Sequence, residues 1–121
     1  MAYNNFKYDV DADGIALVTW DMPGKSMNVF TEEVMVELNA ITDKVMADEA
    51  VKGVVFTSGK DSFSGGADLT MLKGMFEIYR KEKAKDPDKA VKILFEMTGK
   101  MTGLFRKIET SGKPWVSAIN G

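Results

Sequence analysis

Apolar and polar residues alternate in two short segments near the start of the chain, Phe6–Val10 and Ile15–Trp20. Successive side chains of a β-strand point to opposite faces, so this alternation is typical of strands. The connecting residues 11–14 read Asp-Ala-Asp-Gly, which is the composition of a turn. The pattern therefore predicts a β-hairpin.

A helix is predicted next, with Thr31 as its N-cap. Glu32 and Glu33 suit the positive end of the helix dipole. Apolar residues then recur at helical spacing and predict one buried face, formed by Val34, Leu38, Ile41 and Val45.

The second half of the chain reads as strand, helix, helix and strand. Residues 53–57 form a continuous apolar run that suits a strand covered on both faces, as in parallel sheets, and residues 115–119 form another short apolar strand. The helix from residue 69 to about 85 has the inward positions Leu72, Met75, Phe76 and Tyr79. The helix that starts at Asp86 and Pro87 has the inward stripe Ala90, Leu94, Met97, Met101, Leu104, Phe105 and Ile108.

Composition narrows the classes of function. The 121 residues carry a net charge of −2, so nothing favours binding to nucleic acid or to an anionic membrane. The chain contains no Cys and no His, which excludes disulfides, thiol nucleophiles and a Ser-His-Asp triad built from this chain alone. No signal peptide is visible and no apolar run approaches the ~20 residues of a membrane span, so a cytoplasmic location is expected.

Residues 62–69, Ser-Phe-Ser-Gly-Gly-Ala-Asp-Leu, have the most distinctive chemistry. Gly65 and Gly66 allow unusual backbone dihedral angles and the close approach of a ligand, and Asp68 can cap the helix that follows. Unpaired amide groups at such a turn can bind an oxyanion. We therefore take this turn as the candidate site.

Two other binding patterns are incomplete. Residues 9–14 match the first half of an EF-hand calcium loop, but Trp20 stands where that loop needs a bidentate Glu. Residues 58–60, Ser-Gly-Lys, suggest a phosphate-binding loop, but the spacing from Gly53 is wrong and Asp61 replaces the Ser or Thr that binds magnesium. No metal site is expected.

Three stretches together resemble the N-terminal half of the crotonase superfamily, the enoyl-CoA hydratases and isomerases. They are residues 22–28 (Met-Pro-Gly-Lys-Ser-Met-Asn), residues 63–69 (Phe-Ser-Gly-Gly-Ala-Asp-Leu) and residues 113–121 (Lys-Pro-Trp-Val-Ser-Ala-Ile-Asn-Gly). The likeness extends to the hydratase part of multifunctional fatty-acid oxidation proteins, in which a 3-hydroxyacyl-CoA dehydrogenase follows. It implies an α/β fold, a crotonase-like spiral of ββα units that is truncated in its third repeat. Residues 1–121 are then expected to be the incomplete N-terminal part of one crotonase-like domain.

The resemblance also assigns roles by position. The backbone N–H of Ala67 would donate to the thioester oxygen of the substrate, as one half of an oxyanion hole. The implied contacts to coenzyme A and to the acyl-CoA groove are Lys25, Ser26, Met27, Ser64, Gly65, Gly66, Asp68 and Leu69. Asp68 is expected to hold the turn rather than to transfer protons.

Hydratases of this family add water to trans-2-enoyl-CoA with two glutamates, and no glutamate of this chain matches either position. Three functions therefore stay open: part of an enoyl-CoA hydratase, part of an isomerase or other crotonase-type enzyme, and a CoA-binding or structural fragment without turnover. The resemblance implies a coenzyme A thioester as substrate, no tightly bound cofactor, and NAD only if a dehydrogenase domain follows. The expected partners are the remainder of the crotonase domain and, through an open strand edge, further copies of the chain as a homo-oligomer or strand-exchanged assembly.

Overall fold

A four-stranded mixed sheet carries three helices in the computed structural model, which describes residues 2–121. In chain order the elements are β1 (Phe6–Val10), β2 (Ile15–Trp20), α1 (Glu32–Ala47), β3 (Gly53–Ser58), α2 (Leu69–Lys83), α3 (Pro87–Glu109) and β4 (Trp115–Ala118). The strands lie in the order β1-β2-β3-β4, with β1 antiparallel to β2 and the other two pairings parallel. These elements confirm the predicted hairpin and the predicted order of strands and helices.

The turn between β1 and β2 depends on Asp11 and Gly14. The Asp11 carboxylate accepts hydrogen bonds from the backbone N–H groups of Asp13 and Ile15, both at 2.9 Å. Gly14 has a φ of 81°, and a Cβ atom there would overlap the carbonyl oxygen of Ala50. Glycine is therefore required both for the backbone conformation and for the contact with the chain before β3.

Both ends of helix α1 are capped by side chains. Thr31 caps its N-terminus, since the hydroxyl oxygen accepts from the N–H of Val34 at 3.2 Å. At the other end the ammonium group of Lys113 donates to the carbonyl oxygens of Val45 and Asp48. The four residues predicted for the buried face are all at most 2% exposed: Val34, Leu38, Ile41 and Val45. Helix α1 and the sheet therefore form the centre of the core.

Helices α2 and α3 pack more extensively on each other than on α1. Helix α2 buries no residue completely, and α3 buries only Ala90 and Leu104 among its residues. Among the predicted inward positions, Phe76 is wrong, because it is 56% exposed. Phe105 does face inward, with its ring centroid 5.6 Å from that of Phe30, but it is still 45% exposed. Helical spacing indicates which side chains share a face, but it does not indicate whether another element covers that face.

One face of the sheet is open within residues 2–121. The register places Leu17, Val55 and Val116 side by side on the face opposite α1, and Leu17 and Val116 are exposed. The expectation that the β3 strand is covered on both faces is therefore wrong for the described residues. Among these residues, no helix is long and apolar enough to cross a membrane.

Candidate functional site

The candidate turn is held by a short strand-like pairing with residues 28–30. The N–H of Gly65 donates to the Asn28 carbonyl at 2.8 Å, and the N–H of Phe30 donates to the Gly66 carbonyl at 2.8 Å. The N–H of Asp68 then donates to the Phe30 carbonyl at 2.9 Å, which makes Phe30 and Ala67 the partners of a parallel bridge. Two segments that are distant in sequence are thereby fixed in register.

This pairing explains the orientation of the Ala67 amide. In an extended segment, the backbone groups of successive residues point to opposite sides. Because the Gly66 carbonyl and the Asp68 N–H face Phe30, the Ala67 N–H faces away from it. No acceptor within residues 2–121 receives a hydrogen bond from the Ala67 N–H, although the amides of Gly65, Gly66 and Asp68 all donate. The turn therefore presents one free donor between bonded neighbours.

The two glycines of the turn have different surroundings. A Cβ atom on Gly65 would overlap the sulfur atom of Met27, so the absence of a side chain lets the residue 25–27 loop lie against the turn. Gly66 has a φ of 86° with open space around its Cα, so there it is the backbone conformation that requires glycine. The N–H of Gly66 donates to the hydroxyl of Ser64 at 3.0 Å, which closes the turn locally.

Asp68 begins helix α2 immediately after the free amide. Its carboxylate accepts from the N–H of Met71 at 2.9 Å, as the predicted N-cap does. The Ala67 amide therefore lies beside a helix N-terminus, where the helix dipole favours negative charge on a ligand. Leu69, the first residue of the helix, is exposed.

The loop predicted to contact coenzyme A lies beside this turn. Lys25, Ser26 and Met27 are exposed, and Met27 contacts Gly65 as described above. Within residues 2–121, Lys25 forms no ion pair, so its ammonium group is available to a ligand on this surface. The structure thus brings one of the three residues, Met27, into contact with the turn and places the other two next to it in the chain.

The start of that loop is held by a partly buried lysine, Lys60. The ammonium group of Lys60 donates to the Asp21 carboxylate at 3.1 Å and to the Met22 carbonyl at 2.7 Å. Lys7 donates to the other oxygen of the Asp21 carboxylate at 3.2 Å. These hydrogen bonds, first that of Lys60 and then that of Lys7, lower the pKa of Asp21 below its ordinary value.

The third sequence stretch reaches the same region through Asn120. Its side-chain amide donates to the carbonyl oxygens of Ser58, at 3.2 Å, and Lys60, at 2.7 Å. The end of β4 therefore lies against the segment that leads from β3 into the turn. Lys113, at the opposite end of β4, caps α1 instead, which gives the Lys-Pro part of the stretch a structural role.

An apolar cavity of about 260 Å³ borders the inner side of the turn. The rings of Phe63 and Phe56 pack edge-to-face, with their centroids 5.8 Å apart. Phe30, whose backbone pairs with Ala67, contributes its ring to the same wall. The full lining is Phe30, Leu38, Phe56, Phe63, Phe105, Ile108, Trp115 and Ser117. The inner side of the turn therefore borders a cavity with a mainly aromatic lining.

Sequence reasoning did not single out Asn28 as a site residue. The structure places it below the turn with no exposed surface. An Asn within a Pro- and Gly-containing loop is ordinary turn composition, so only the packing distinguishes it. In the described part of the chain, no three or more His, Cys, Asp or Glu side chains form a group that could hold a metal ion.

Comparison with known proteins gives a consistent set of relatives. A family model described as enoyl-CoA hydratase/isomerase matches residues 11–121. The fatty acid oxidation complex subunit alpha of Idiomarina loihiensis is 37% identical over 117 residues, which cover 96% of this chain and 15% of that protein. The same subunit of Pseudomonas paraeruginosa is 37% identical over 110 residues, 89% of this chain and 14% of that one. The chain therefore spans about 15% of the length of these curated relatives.

Solved structures show the same fold. An enoyl-CoA hydratase from Shewanella pealeana superposes with a TM-score of 0.76 at 16% identity, over 97% of this chain and 39% of that one. An enoyl-CoA hydratase/isomerase from Xanthobacter autotrophicus superposes with a TM-score of 0.73 at 24% identity, over 99% and 40%. The α/β fold implied by the sequence motifs is confirmed by these likenesses.

Proposed function

Because the chain belongs to the enoyl-CoA hydratase/isomerase family, the crotonase superfamily, we propose that it supplies one half of the oxyanion hole of an enoyl-CoA hydratase. The observation that carries this proposal is the free N–H of Ala67, held between amides that are all bonded. The substrate is a trans-2-enoyl-CoA and the product a 3-hydroxyacyl-CoA. Fatty-acid oxidation is the process proposed for it, since the curated relatives are subunits of fatty acid oxidation complexes.

The chemistry of hydration explains what the Ala67 amide would do. Attack of water at C3 of an enoyl thioester moves electrons through the double bond and places negative charge on the carbonyl oxygen. An amide that is already oriented toward this oxygen stabilises the charge without reorganising, and such a donor typically lowers the barrier by about 3 kcal/mol. The N-terminus of α2 adds a favourable dipole at the same place.

The carboxylates of this turn do not supply the acid and base. Asp68 is bonded to the first turn of α2, so its role is to fix the start of the helix. We propose that the second oxyanion donor and the two glutamates lie in the remainder of the crotonase domain. The coenzyme A portion then crosses the exposed loop of Lys25, Ser26 and Met27, where a lysine ammonium can pair with phosphate.

A proline substitution tests the Ala67 donor directly. Ala67→Pro removes an amide hydrogen that no group in residues 2–121 accepts, so it deletes the proposed donor without breaking an internal hydrogen bond. In the full-length protein we expect kcat for crotonyl-CoA hydration to fall roughly 100- to 1,000-fold. Ala67→Ser keeps the N–H and is the matched control, with kcat near that of the unsubstituted protein.

The outcomes separate the alternatives. Unchanged turnover by folded Ala67→Pro would contradict the oxyanion role. Conversion of a 3-enoyl-CoA to a 2-enoyl-CoA without hydration would assign the isomerase instead. The 121-residue chain assayed alone is expected to bind without turnover, and hydration by it would contradict the proposal that the glutamates lie elsewhere.

Self-association of the isolated chain is part of the same proposal. Strand β4 is an edge strand of the sheet, and both Val116 within it and Ile119 just after it are exposed. An exposed apolar strand edge pairs readily with another chain. Light scattering is expected to show oligomers, and a monodisperse monomer would contradict the expectation.

A further inference from the structure

We propose that Asn28 is a positioning residue for the Ala67 amide, an inference that rests on the proposed function of that amide. Asn28 does not touch the substrate. Its buried side chain fixes the backbone of residues 28–30, and that backbone in turn fixes the direction of the Ala67 N–H.

The Asn28 side chain joins the ends of two strands to the loop. Its Oδ1 accepts from the Met22 N–H at 3.1 Å. Its Nδ2 donates to the Trp20 carbonyl at the end of β2, at 2.8 Å, and to the Ser58 hydroxyl at the end of β3, at 2.9 Å. The Phe63 carbonyl, at the start of the turn, lies 3.4 Å from the same nitrogen. One carboxamide therefore connects the turn to the ends of β2 and β3.

The backbone of Asn28 continues this connection. Its carbonyl oxygen accepts from the Gly65 N–H at 2.8 Å and from the Ser64 hydroxyl at 3.3 Å. The next pairing along the chain is that of Phe30 with Ala67. A rotation of the 28–30 backbone would therefore rotate the Ala67 N–H with it, because both belong to one hydrogen-bonded register.

Asn28→Asp is the most informative change, since aspartate has nearly the same shape but cannot donate from the position of Nδ2. The Trp20 carbonyl would then face a carboxylate oxygen in a site with no exposed surface, and both groups would have to move apart. A displacement of a catalytic group by 1 Å can lower a rate about 100-fold. We expect kcat of the full-length protein to fall roughly 10- to 100-fold with little change in KM, because the lost interaction belongs to the transition state.

Thr42→Val is the matched control for loss of a buried hydrogen bond. Thr42 is also fully buried, and its hydroxyl donates to the Leu38 carbonyl within α1, at 2.7 Å, away from the turn. We expect Thr42→Val to leave kcat and KM unchanged. A milder variant of the network is Ser58→Ala, which removes one acceptor of Asn28 Nδ2 and is expected to give a smaller fall in kcat than Asn28→Asp.

Amide hydrogen exchange gives a second readout that needs no turnover. In the 121-residue chain, Asn28→Asp should speed exchange at the N–H groups of Gly65 and Asp68, whereas Thr42→Val should not. If the unsubstituted protein hydrates no enoyl-CoA, the proposed function fails, and the exchange result alone decides whether Asn28 orders the turn. Unchanged kcat and unchanged protection in Asn28→Asp would overturn the inference, as would an equal fall of kcat in Thr42→Val. If Asn28→Asp does not fold, an unchanged kcat and unchanged exchange in Ser58→Ala would overturn it.

Discussion

Two regions differ in how they are packed: residues 6–58, which comprise β1, β2, α1 and the following strand β3 and are here called the ββα unit, and the helical pair, residues 69–109. Nearly all of the fully buried apolar residues lie in the ββα unit, between α1 and the sheet. Its aromatic rings contact one another, and the ring centroids of Trp20 and Phe30 are 4.7 Å apart. The helical pair leaves large apolar side chains exposed, among them Phe95 at 77%. The candidate turn lies between the two regions but takes its hydrogen bonds from the ββα unit, through residues 28–30. The hydrogen bonds that fix the direction of the Ala67 amide therefore come from the ββα unit.

The largest difference in stability between the two regions is expected when a large apolar side chain is shortened to alanine in each. Ile41→Ala in the ββα unit removes a fully buried side chain and should lower the free energy of unfolding by about 3 to 4 kcal/mol. Phe95→Ala in the helical pair should change it by less than about 0.5 kcal/mol, because the ring is already in water. Urea denaturation of both variants measures the contrast. Equal losses would show that the two regions form one equally packed core.

Glycine substitutions give the next largest contrast. Gly14→Ala forces a side chain into a left-handed conformation against the Ala50 carbonyl, and a loss of about 2 kcal/mol is expected. Gly74→Ala lies within α2 with no neighbouring atom near the added methyl group, so a gain of about 0.5 to 1 kcal/mol is expected. Thermal unfolding of the two variants should therefore shift in opposite directions. A stabilising Gly14→Ala would contradict the assigned turn geometry.

The same contrast shows what the sequence could predict about the fold. In α1, helical spacing predicted the buried face correctly, because the sheet lies directly under Val34 and Leu38. In α2, the same spacing predicted Phe76 to be buried and was wrong, because α3 covers only part of that helix. Spacing is a local property of the chain, whereas burial depends on elements that are distant in sequence. The caps at Thr31, Asp68 and Asp86 were predictable, since each bonds within its own helix.

In the candidate site, too, some residues could be predicted from the sequence and others could not. The double glycine and Asp68 cap could be predicted as an anion-binding turn, and the resemblance named Ala67 within it. Sequence could not indicate Asn28, because its partners Trp20, Ser58 and Phe63 are brought together only by the fold. Whether the Ala67 amide acts on a thioester stays a prediction.

Two lysines that contact α1 provide a smaller test. Lys113→Met removes the donor to the carbonyl oxygens of Val45 and Asp48 and should destabilise the chain by about 1 to 2 kcal/mol. Lys100→Met removes an ion pair between α3 and Glu32 in which both side chains are exposed, and should change stability by less than about 0.5 kcal/mol. Urea denaturation of each variant at low and high salt measures both effects. A larger loss for Lys100→Met would mean that ion pairs hold the helical pair on the ββα unit.

The smallest effect on stability is expected from protonation of Asp21, the residue that connects the 21–27 loop to the ββα unit. Lys60, and then Lys7, lower the pKa of this carboxyl group in the folded chain, so the unfolded chain binds the proton more readily. The resulting stability is present at neutral pH and is lost as the pH falls from the ordinary carboxyl value, about 3.9, through the lowered value. Asp21→Asn should cost less than about 1 kcal/mol at pH 7, since the pair is partly solvated, and the difference from the unsubstituted chain should vanish in acid. Urea denaturation of both chains between pH 2 and pH 7, about the range in which carboxylates titrate, measures this difference in stability. If the difference persists at about pH 2, the contribution of Asp21 comes from the shape of its side chain rather than from its charge.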